Sequence, residues 1–368
     1  MLAVLIRVVI VIRQLRMKNK TLLSSCVLFV IMLIGCSQKD EVKTIVCDTN
    51  NAIEINPFKS GLFKEVILNP SPLSMPKHVE IMRDGGIYFH AGDTLFRYSL
   101  LDGRKKMVYG QRGRAKNEYI RLWEYWMDGE DLCLYDLDTR RILCFSKEGV
   151  LKDIKEMVEG VNPFQFMCRL DQDHWIGRMT FRGKQVETPE LGLFDNDYQL
   201  IHPIGEGKLL SGMRVGYHFS KNPEGVLFIG PLSDKILQVN ENESYIKYRV
   251  EFSDGTMNLE NYSDEFEMLG DIMKELDRRD FSFSVTGLRE DGGYLGFAYQ
   301  SSRKKAMYAL YDKKTEKTVC FNIILPEDWQ ICDSVLLDGN VYFVGFGNDA
   351  GTRIWTASVT DLLSMSRK

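Results

Sequence analysis

Short apolar runs alternate with polar turns along most of the chain, and the alternation repeats. Turn signals rich in Asp, Asn and Gly stand at Asp84-Gly85-Gly86, Asp128-Gly129, Asp171-Gln172-Asp173, Asn222-Pro223-Glu224-Gly225, Asp291-Gly292-Gly293 and Asp338-Gly339-Asn340, six in all. A nearly continuous apolar run follows each one: Ile87–Phe89, Leu132–Tyr135, Trp175-Ile176, Val226–Ile229, Tyr294–Phe297 and Val341–Val344. Continuous apolarity at strand length predicts a strand buried on both faces. A further strand follows after a polar turn, at Leu95–Tyr98, Ile142–Phe145, Leu191–Phe194, Ile236–Val239, Met307–Leu310 and Ile354–Thr356. Another precedes the turn, as in His78–Ile81, Leu122–Tyr125 and Phe164–Met167. An edge-like strand trails five of the repeats, at Met107–Tyr109, Leu151–Ile154, Leu200–Ile204, Tyr245–Phe252 and Val319–Leu325.

The unit is therefore four strands at hairpin spacing, which build an antiparallel sheet. Such units repeated radially are the blades of a propeller. The predicted fold is all-β: a six-bladed β-propeller of four-stranded antiparallel blades over residues 53–368. The last repeat lacks a fourth strand, and the segment Ile53–Leu68 can supply it and close the ring, hiding the sheet edges. Two stacked β-sandwiches or an open solenoid are the competing architectures. One repeat is long. Between Ser253 and Asp280, Ser263-Asp264-Glu265 fits a helix start, and Phe266, Leu269, Ile272, Met273 and Leu276 fall at helical spacing. A helical insertion is expected at about 258–280, read as a structural plug in preference to a lid.

The N-terminus reads as an address. Met17-Lys18-Asn19-Lys20 is a short basic stretch and Leu22 to Gly35 a 14-residue, mostly apolar run. That run is too short to span a bilayer and fits a secretory signal. The earlier apolar stretch Leu2–Ile12, broken by Arg7, suggests a true start at Met17, with residues 1–35 as signal peptide. Leu33-Ile34-Gly35-Cys36 resembles a bacterial lipobox, which implies cleavage before Cys36, acylation of its thiol and a lipidated tether over 36–52. Lys39-Asp40-Glu41 resembles the signal that sends some Bacteroidota lipoproteins to the outer face of the outer membrane. The expected location is thus the outer membrane, lipid-anchored, at the cell surface or the periplasmic face.

The chain has 368 residues and a formal charge of −4. Without the five basic residues of 1–35, 42 basic side chains face 51 acidic ones, net −9. No dense run of Lys and Arg remains to neutralise phosphates, which argues against a nucleic-acid partner.

The segment Gly110-Gln111-Arg112-Gly113-Arg114-Ala115-Lys116-Asn117-Glu118-Tyr119, with the lipobox and the six repeats, resembles the TolB-like six-bladed propeller lipoproteins of Bacteroidota. In many relatives this segment reads Gly-x-x-Gly-x-Gly-Pro-x-Glu-aromatic and joins the first two blades. Gly113, Glu118 and Tyr119 match; the later Gly and the Pro are replaced around Ala115–Asn117. The resemblance implies fold and export but no reaction.

No catalytic, metal-binding or phosphate-binding motif occurs, and no cofactor is implied. The five histidines are scattered singly. Cys133 and Cys144 are equidistant from a turn at Asp138-Thr139 and face each other; buried free thiols are the preferred reading over a disulfide. Propeller ligands usually enter at the channel mouth. Arg112, Arg114, Asn117 and Glu118 belong to one loop there, and His78, Arg121, Gln165, Arg214 and His218 to first strands or their approaches. This set could hold an acidic sugar or a peptide carboxylate, or be ordinary solvated and strand polarity. Trp123, Tyr125 and Trp126 read as inter-blade packing in preference to sugar platforms. Three functions follow from different classes: a non-enzymatic binding module for a glycan, peptide or protein; a metal-dependent propeller hydrolase, lyase or lactonase; and a scaffold in an outer-membrane assembly. The first is preferred.

Overall fold

A computed structural model describes residues 42–157, 164–179, 191–205, 219–230, 232–256, 274, 281–301 and 305–366. Three strands, β1 (Lys43–Cys47), β2 (Ile53–Ile55) and β3 (Lys64–Ile67), precede the first blade. Blade 1 is β4 (Pro76–Ile81), β5 (Gly86–Ala91), β6 (Thr94–Ser99) and β7 (Lys105–Tyr109). Blade 2 is β8 (Leu122–Asp128), β9 (Asp131–Asp136), β10 (Arg141–Phe145) and β11 (Leu151–Glu156). Blade 3 is β12 (Phe164–Arg169), β13 (Trp175–Met179), β14 (Leu191–Phe194) and β15 (Leu200–Ile204). Blade 4 is β16 (Phe219–Asn222), β17 (Gly225–Ile229), β18 (Lys235–Val239) and β19 (Ser244–Phe252). Blade 5 is β20 (Phe283–Asp291), β21 (Tyr294–Gln300), β22 (Ala306–Asp312) and β23 (Lys317–Ile323). Blade 6 takes β24 (Trp329–Leu337), β25 (Asn340–Gly347) and β26 (Gly351–Ser358) from the end of the chain and β3 from its beginning.

The six Asp/Asn/Gly turns each join the first and second strands of a blade, as the repeat predicts. The ring closes through β3, antiparallel to β26 with Ile67 opposite Arg353 and Lys64 opposite Thr356. The segment ahead of β3 adds two strands that sequence reading did not anticipate. β1 lies parallel to β19 and β2 parallel to β23, so blades 4 and 5 are five-stranded. Lys43–Cys47, placed in the tether by sequence, is thus part of the folded body, with Ile45 and Cys47 buried. A helix, α1 (Val359–Met365), follows β26; the Ser358 hydroxyl accepts the Asp361 N–H and donates to its carboxylate, a local N-terminal cap. The expected helical insertion at 258–280 lies outside the described residues, apart from Lys274.

Because successive side chains of a strand point to opposite sheet faces, each blade buries both faces against its neighbours. The core accordingly divides into layers between adjacent blades. In blade 2, Leu132, Leu134, Leu143 and Phe145 face blade 1, while Cys133, Tyr135, Ile142 and Cys144 face blade 3. Corresponding layers join blades 3 and 4, 4 and 5, 5 and 6, and 6 and 1. Trp126 packs edge-on against Trp175 and Tyr198 in the layer between blades 2 and 3, which supports the packing reading. Cys133 and Cys144 stand directly opposite one another with Cα atoms 4.1 Å apart and are disulfide-bonded, correcting the preference for free thiols. Directly opposed, closely spaced strand positions bring the sulfurs within bonding reach.

Candidate functional site

The first strands form the inner ring. β8 packs on β12, β12 on β16, β16 on β20, β20 on β24 and β24 on β4. The circuit closes where the Tyr125 hydroxyl of β8 reaches the carbonyls of His78 and Tyr88 in blade 1.

A regular inner strand would alternate without interruption. Five of these six carry an extra residue instead: β4 between Lys77 and Glu80, β8 between Leu122 and Glu124, β12 between Phe164 and Phe166, β20 on both sides of Thr286, and β24 between Ile331 and Asp333. A β-bulge turns side chains away from the period-2 direction and frees backbone groups from the ladder. His78 sits in the β4 bulge at φ +51°, a left-handed conformation uncommon for a residue with a Cβ. Gly287 in β20 has φ +59°, and a Cβ there would lie 2.9 Å from the Ser334 carbonyl oxygen, so glycine permits the approach of β24.

The residues at or beside these bulges make a buried polar cluster. His78 Nδ1 lies 2.5 Å from Glu124 Oε1, and its Nε2 lies 3.5 Å from Glu80 Oε1. Arg289 Nη2 donates to the same Glu80 oxygen at 2.8 Å, while its Nη1 donates to the Phe219 carbonyl at 2.9 Å. Asp333 of blade 6 accepts the Val79 N–H at 2.8 Å, beside the β4 bulge, and the N–H of Ser334. The Glu290 N–H donates to Ser220 Oγ at 2.6 Å, linking blades 5 and 4. Side-chain exposure is 5% for His78 and 4% for Glu124, but 18% for Glu80 and 11% for Arg289.

Burial disfavours a charged imidazole, yet the carboxylate of Glu124, its hydrogen bond and then Glu80 outweigh it, and His78 is pushed up to about 9. Glu80 is also opposed by burial, but the Arg289 guanidinium and His78 hold its carboxyl below the usual range. Burial pushes Asp333 up in spite of the N–H groups it accepts. The cluster thus pairs two carboxylates with an imidazolium and a guanidinium, beside a third carboxyl driven toward its neutral form. Glu80 and Glu124 already have resident cationic partners, and an added metal ion would compete with Arg289 and His78 for them.

The sequence-predicted residues are placed differently. His78 belongs to the buried cluster. Gln165 stands at the β12 bulge, its side chain outside the described residues, as are Arg214 and His218. Arg112, Arg114 and Asn117 are exposed on the loop joining β7 to β8. Glu118 braces that loop: it accepts from Gln111 Nε2 at 2.8 Å and from the Ala115 N–H at 2.7 Å, and those contacts hold its carboxyl below the usual range. A Cβ on Gly113 would lie 1.9 Å from Glu118 Oε2, so the glycine matters to the brace. Arg112 pairs with Asp93 at 3.2 Å, and Arg121 pairs with Asp138. Both partners lie in turns between second and third strands, on the same face as the loop, so an acidic ligand would compete with acids already there. On the opposite face, Asp171, His174 and Glu241 bring ligand atoms within 4.8 Å of one another. Asp171 is engaged there by the N–H groups of Asp173 and His174. Sequence reading missed Glu80, Glu124, Arg289 and Asp333; the available signal was a charge set within otherwise apolar inner-strand runs.

Comparison with known proteins agrees with the architecture. Residues 78–327 match the model of the DUF5128 family, described as a 6-bladed beta-propeller. Among curated proteins no match to the sequence is found. Among solved structures, a Bacteroides fragilis protein described as exported superposes with a TM-score of 0.62 at 11% identity, covering 86% of this chain and 99% of its own. A DUF4221 family member from Bacteroides vulgatus gives 0.55 at 9% identity, covering 80% of this chain and 95% of its own. At these identities the likeness is one of fold. With the family match spanning more than half of its length, the chain belongs to the DUF5128 family of six-bladed β-propellers.

Proposed function

We propose that this chain is a TolB-like cell-envelope lipoprotein, anchored through Cys36 at the outer membrane, whose propeller binds a glycan, peptide or protein partner. The observation that carries the binding reading is the charge-balanced cluster on the inner strands, in which Glu80 and Arg289 keep 18% and 11% of their side chains exposed. Together they offer an acceptor and a donor with little net charge, which suits hydroxyl or amide groups. Such preformed polar groups in a largely apolar surround fix ligand orientation. A hydrolytic metal centre would need these carboxylates free, and the resident cations argue for binding over turnover. The lipid anchor rests on the Leu33–Cys36 lipobox, and export is in keeping with the fold neighbour described as exported.

A thermal-shift screen of the purified protein against neutral and acidic oligosaccharides, peptides and divalent cations tests the reading. A ligand at 100 times its Kd adds about 2.7 kcal/mol of stability. A shift with a glycan or peptide that disappears in Glu80→Gln is the expected result. A shift with a divalent cation alone would favour the metal-dependent hydrolase. No shift with any compound would favour the scaffold and direct attention to cross-linking in cells.

A further inference from the structure

A cleft of about 490 Å³ lies where Lys116, on the loop joining β7 to β8, meets Arg141 of β10 and the outer strand β11. In the ladder between these two strands Arg141 stands opposite Glu156 and Leu143 opposite Ile154. Opposed residues of an antiparallel pair share a sheet face, and period two places all four on the face that Leu143 turns toward blade 1. Opposite charges so placed would ordinarily pair, yet Arg141 and Glu156 do not. The guanidinium is drawn the other way: Nε donates to Thr139 Oγ1 at 3.0 Å and Nη2 to the Glu118 carbonyl at 3.1 Å, with Asp136 at 3.9 Å. Its Nη1 is left without a hydrogen-bond partner among the described residues, on a side chain only 19% exposed. Lys116 and Glu156 are exposed and likewise have no ionic partner among the described residues. Lys152, by contrast, is taken by Asp131 at 2.7 Å. The cleft thus offers a fixed guanidinium donor, an unpaired ammonium and an unpaired carboxylate beside the aliphatic Leu151 and Ile154.

We propose that this cleft is a binding site for an acidic sugar. The sugar carboxylate accepts from Arg141 Nη1 and Lys116, a ring hydroxyl donates to Glu156, and an apolar C–H face of the ring lies against Leu151 and Ile154. Each part of the ligand answers a group that the fold leaves unpaired. A simple anion satisfies the cations alone and meets Glu156 and Asp153 as like charges, while a neutral sugar gives Arg141 no charged acceptor. The size of the cleft, with a few placed polar groups beside apolar ones, is that of small-molecule sites. Arg141 also has its direction set beforehand by Thr139 and the Glu118 carbonyl, so binding does not have to order it. The site is on the outer strands of blade 2, whereas the charge-balanced cluster is on first strands, and the inference does not depend on the reading given to that cluster.

The test is isothermal titration calorimetry of the full-length protein with digalacturonate, its neutral counterpart galactobiose, and acetate. Lys116→Gln and Glu156→Ala change exposed side chains and leave the bracing of Arg141 intact; Glu80→Gln serves as the control for the inner strands. The expected result is saturable binding of digalacturonate, weaker by about tenfold or more in Lys116→Gln and in Glu156→Ala and unchanged in Glu80→Gln. Galactobiose and acetate should each bind at least about tenfold more weakly than digalacturonate. No saturable binding of digalacturonate, or binding that Lys116→Gln and Glu156→Ala leave unchanged, would overturn the proposal. So would acetate binding as tightly, which would reduce the cleft to a plain anion site, or galactobiose binding as tightly, which would remove the role of the carboxylate. Tighter binding in Glu156→Ala would overturn the hydroxyl contact, and a loss in Glu80→Gln would move the sugar to the inner strands.

Discussion

The proton on His78 ties the stability of the inner ring to pH. An ordinary imidazole titrates near 6.5 and His78 at about 9. Between these values the folded chain keeps a proton that the unfolded chain has released, so unfolding releases a proton and stability falls as pH rises. The contribution is fully present below pH 6.5 and gone above 9. At 1.36 kcal/mol per pH unit it amounts to about 3 kcal/mol. The side chain is 5% exposed, so solvent screening takes little from that figure. The perturbation that isolates it is His78→Asn, since Asn is among the residues that best tolerate the left-handed φ of this bulge. Urea unfolding followed by tryptophan fluorescence at pH 6.0, 7.5 and 9.5 should show the wild type losing about 3 kcal/mol more than the variant over that range. Asp333 and Glu80 are each lowered in part by His78, so the difference reads the coupled cluster with His78 as its titrating base. Parallel losses in the two proteins would refute a buried, protonated His78.

Three further outcomes follow from particular contacts. Arg289→Met strips Glu80 of its guanidinium and should cost about 3–5 kcal/mol in urea unfolding, with much of it recovered in the Glu80→Gln, Arg289→Met double variant. Gly103 has φ +67°, and a Cβ there would fall 2.0 Å from the Ile67 carbonyl oxygen of the closing strand β3; Gly103→Ala should destabilise by about 2–4 kcal/mol and lower the Tm. Replacing Cys133 and Cys144 by Ala opens the short loop their bond closes and should cost about 2–3 kcal/mol by calorimetry.

The blades were legible because the second strand of each is buried on both faces, and Val226–Ile229 or Val341–Val344 has no other stable environment. Strand closure by 53–68 followed from a count of strands, since the last repeat lacked one. β1 was not legible. Its two inward residues, Ile45 and Cys47, alternate with exposed ones and merge into the polar run before them. The cap at Ser358 and Asp361 was a readable helix start, a Ser followed three residues later by an acid. The axial cluster was illegible for a different reason. His78 meets Glu124 across 46 positions, and Arg289 meets Glu80 across 209. No local pattern states which inner strands are neighbours at which height, and the bulges shift each register by a residue from what strict alternation gives.

That shift explains why the charges and the bulges occur together. Each added residue removes backbone groups from the ladder between first and second strands, and a buried unpaired N–H is costly. At β4, Asp333 from blade 6 answers the Val79 N–H. At β8, Glu124 answers the N–H of Tyr125 as well as pairing with His78. Where β20 passes β16, Ser220 accepts from the Glu290 N–H and Arg289 donates to the Phe219 carbonyl. These polar side chains therefore do two things. They satisfy backbone groups of the inner strands, the Val79 N–H beside the β4 bulge among them, and they join β4 to blade 6 and β20 to blade 4 by directed bonds that apolar layers do not provide. Replacing them by apolar residues would leave the bulges without partners, whereas straightening the bulges would turn His78 and Glu124 away from each other. The inner ring holds its position by this mutual dependence, while Glu80 and Arg289 keep 18% and 11% of their side chains exposed.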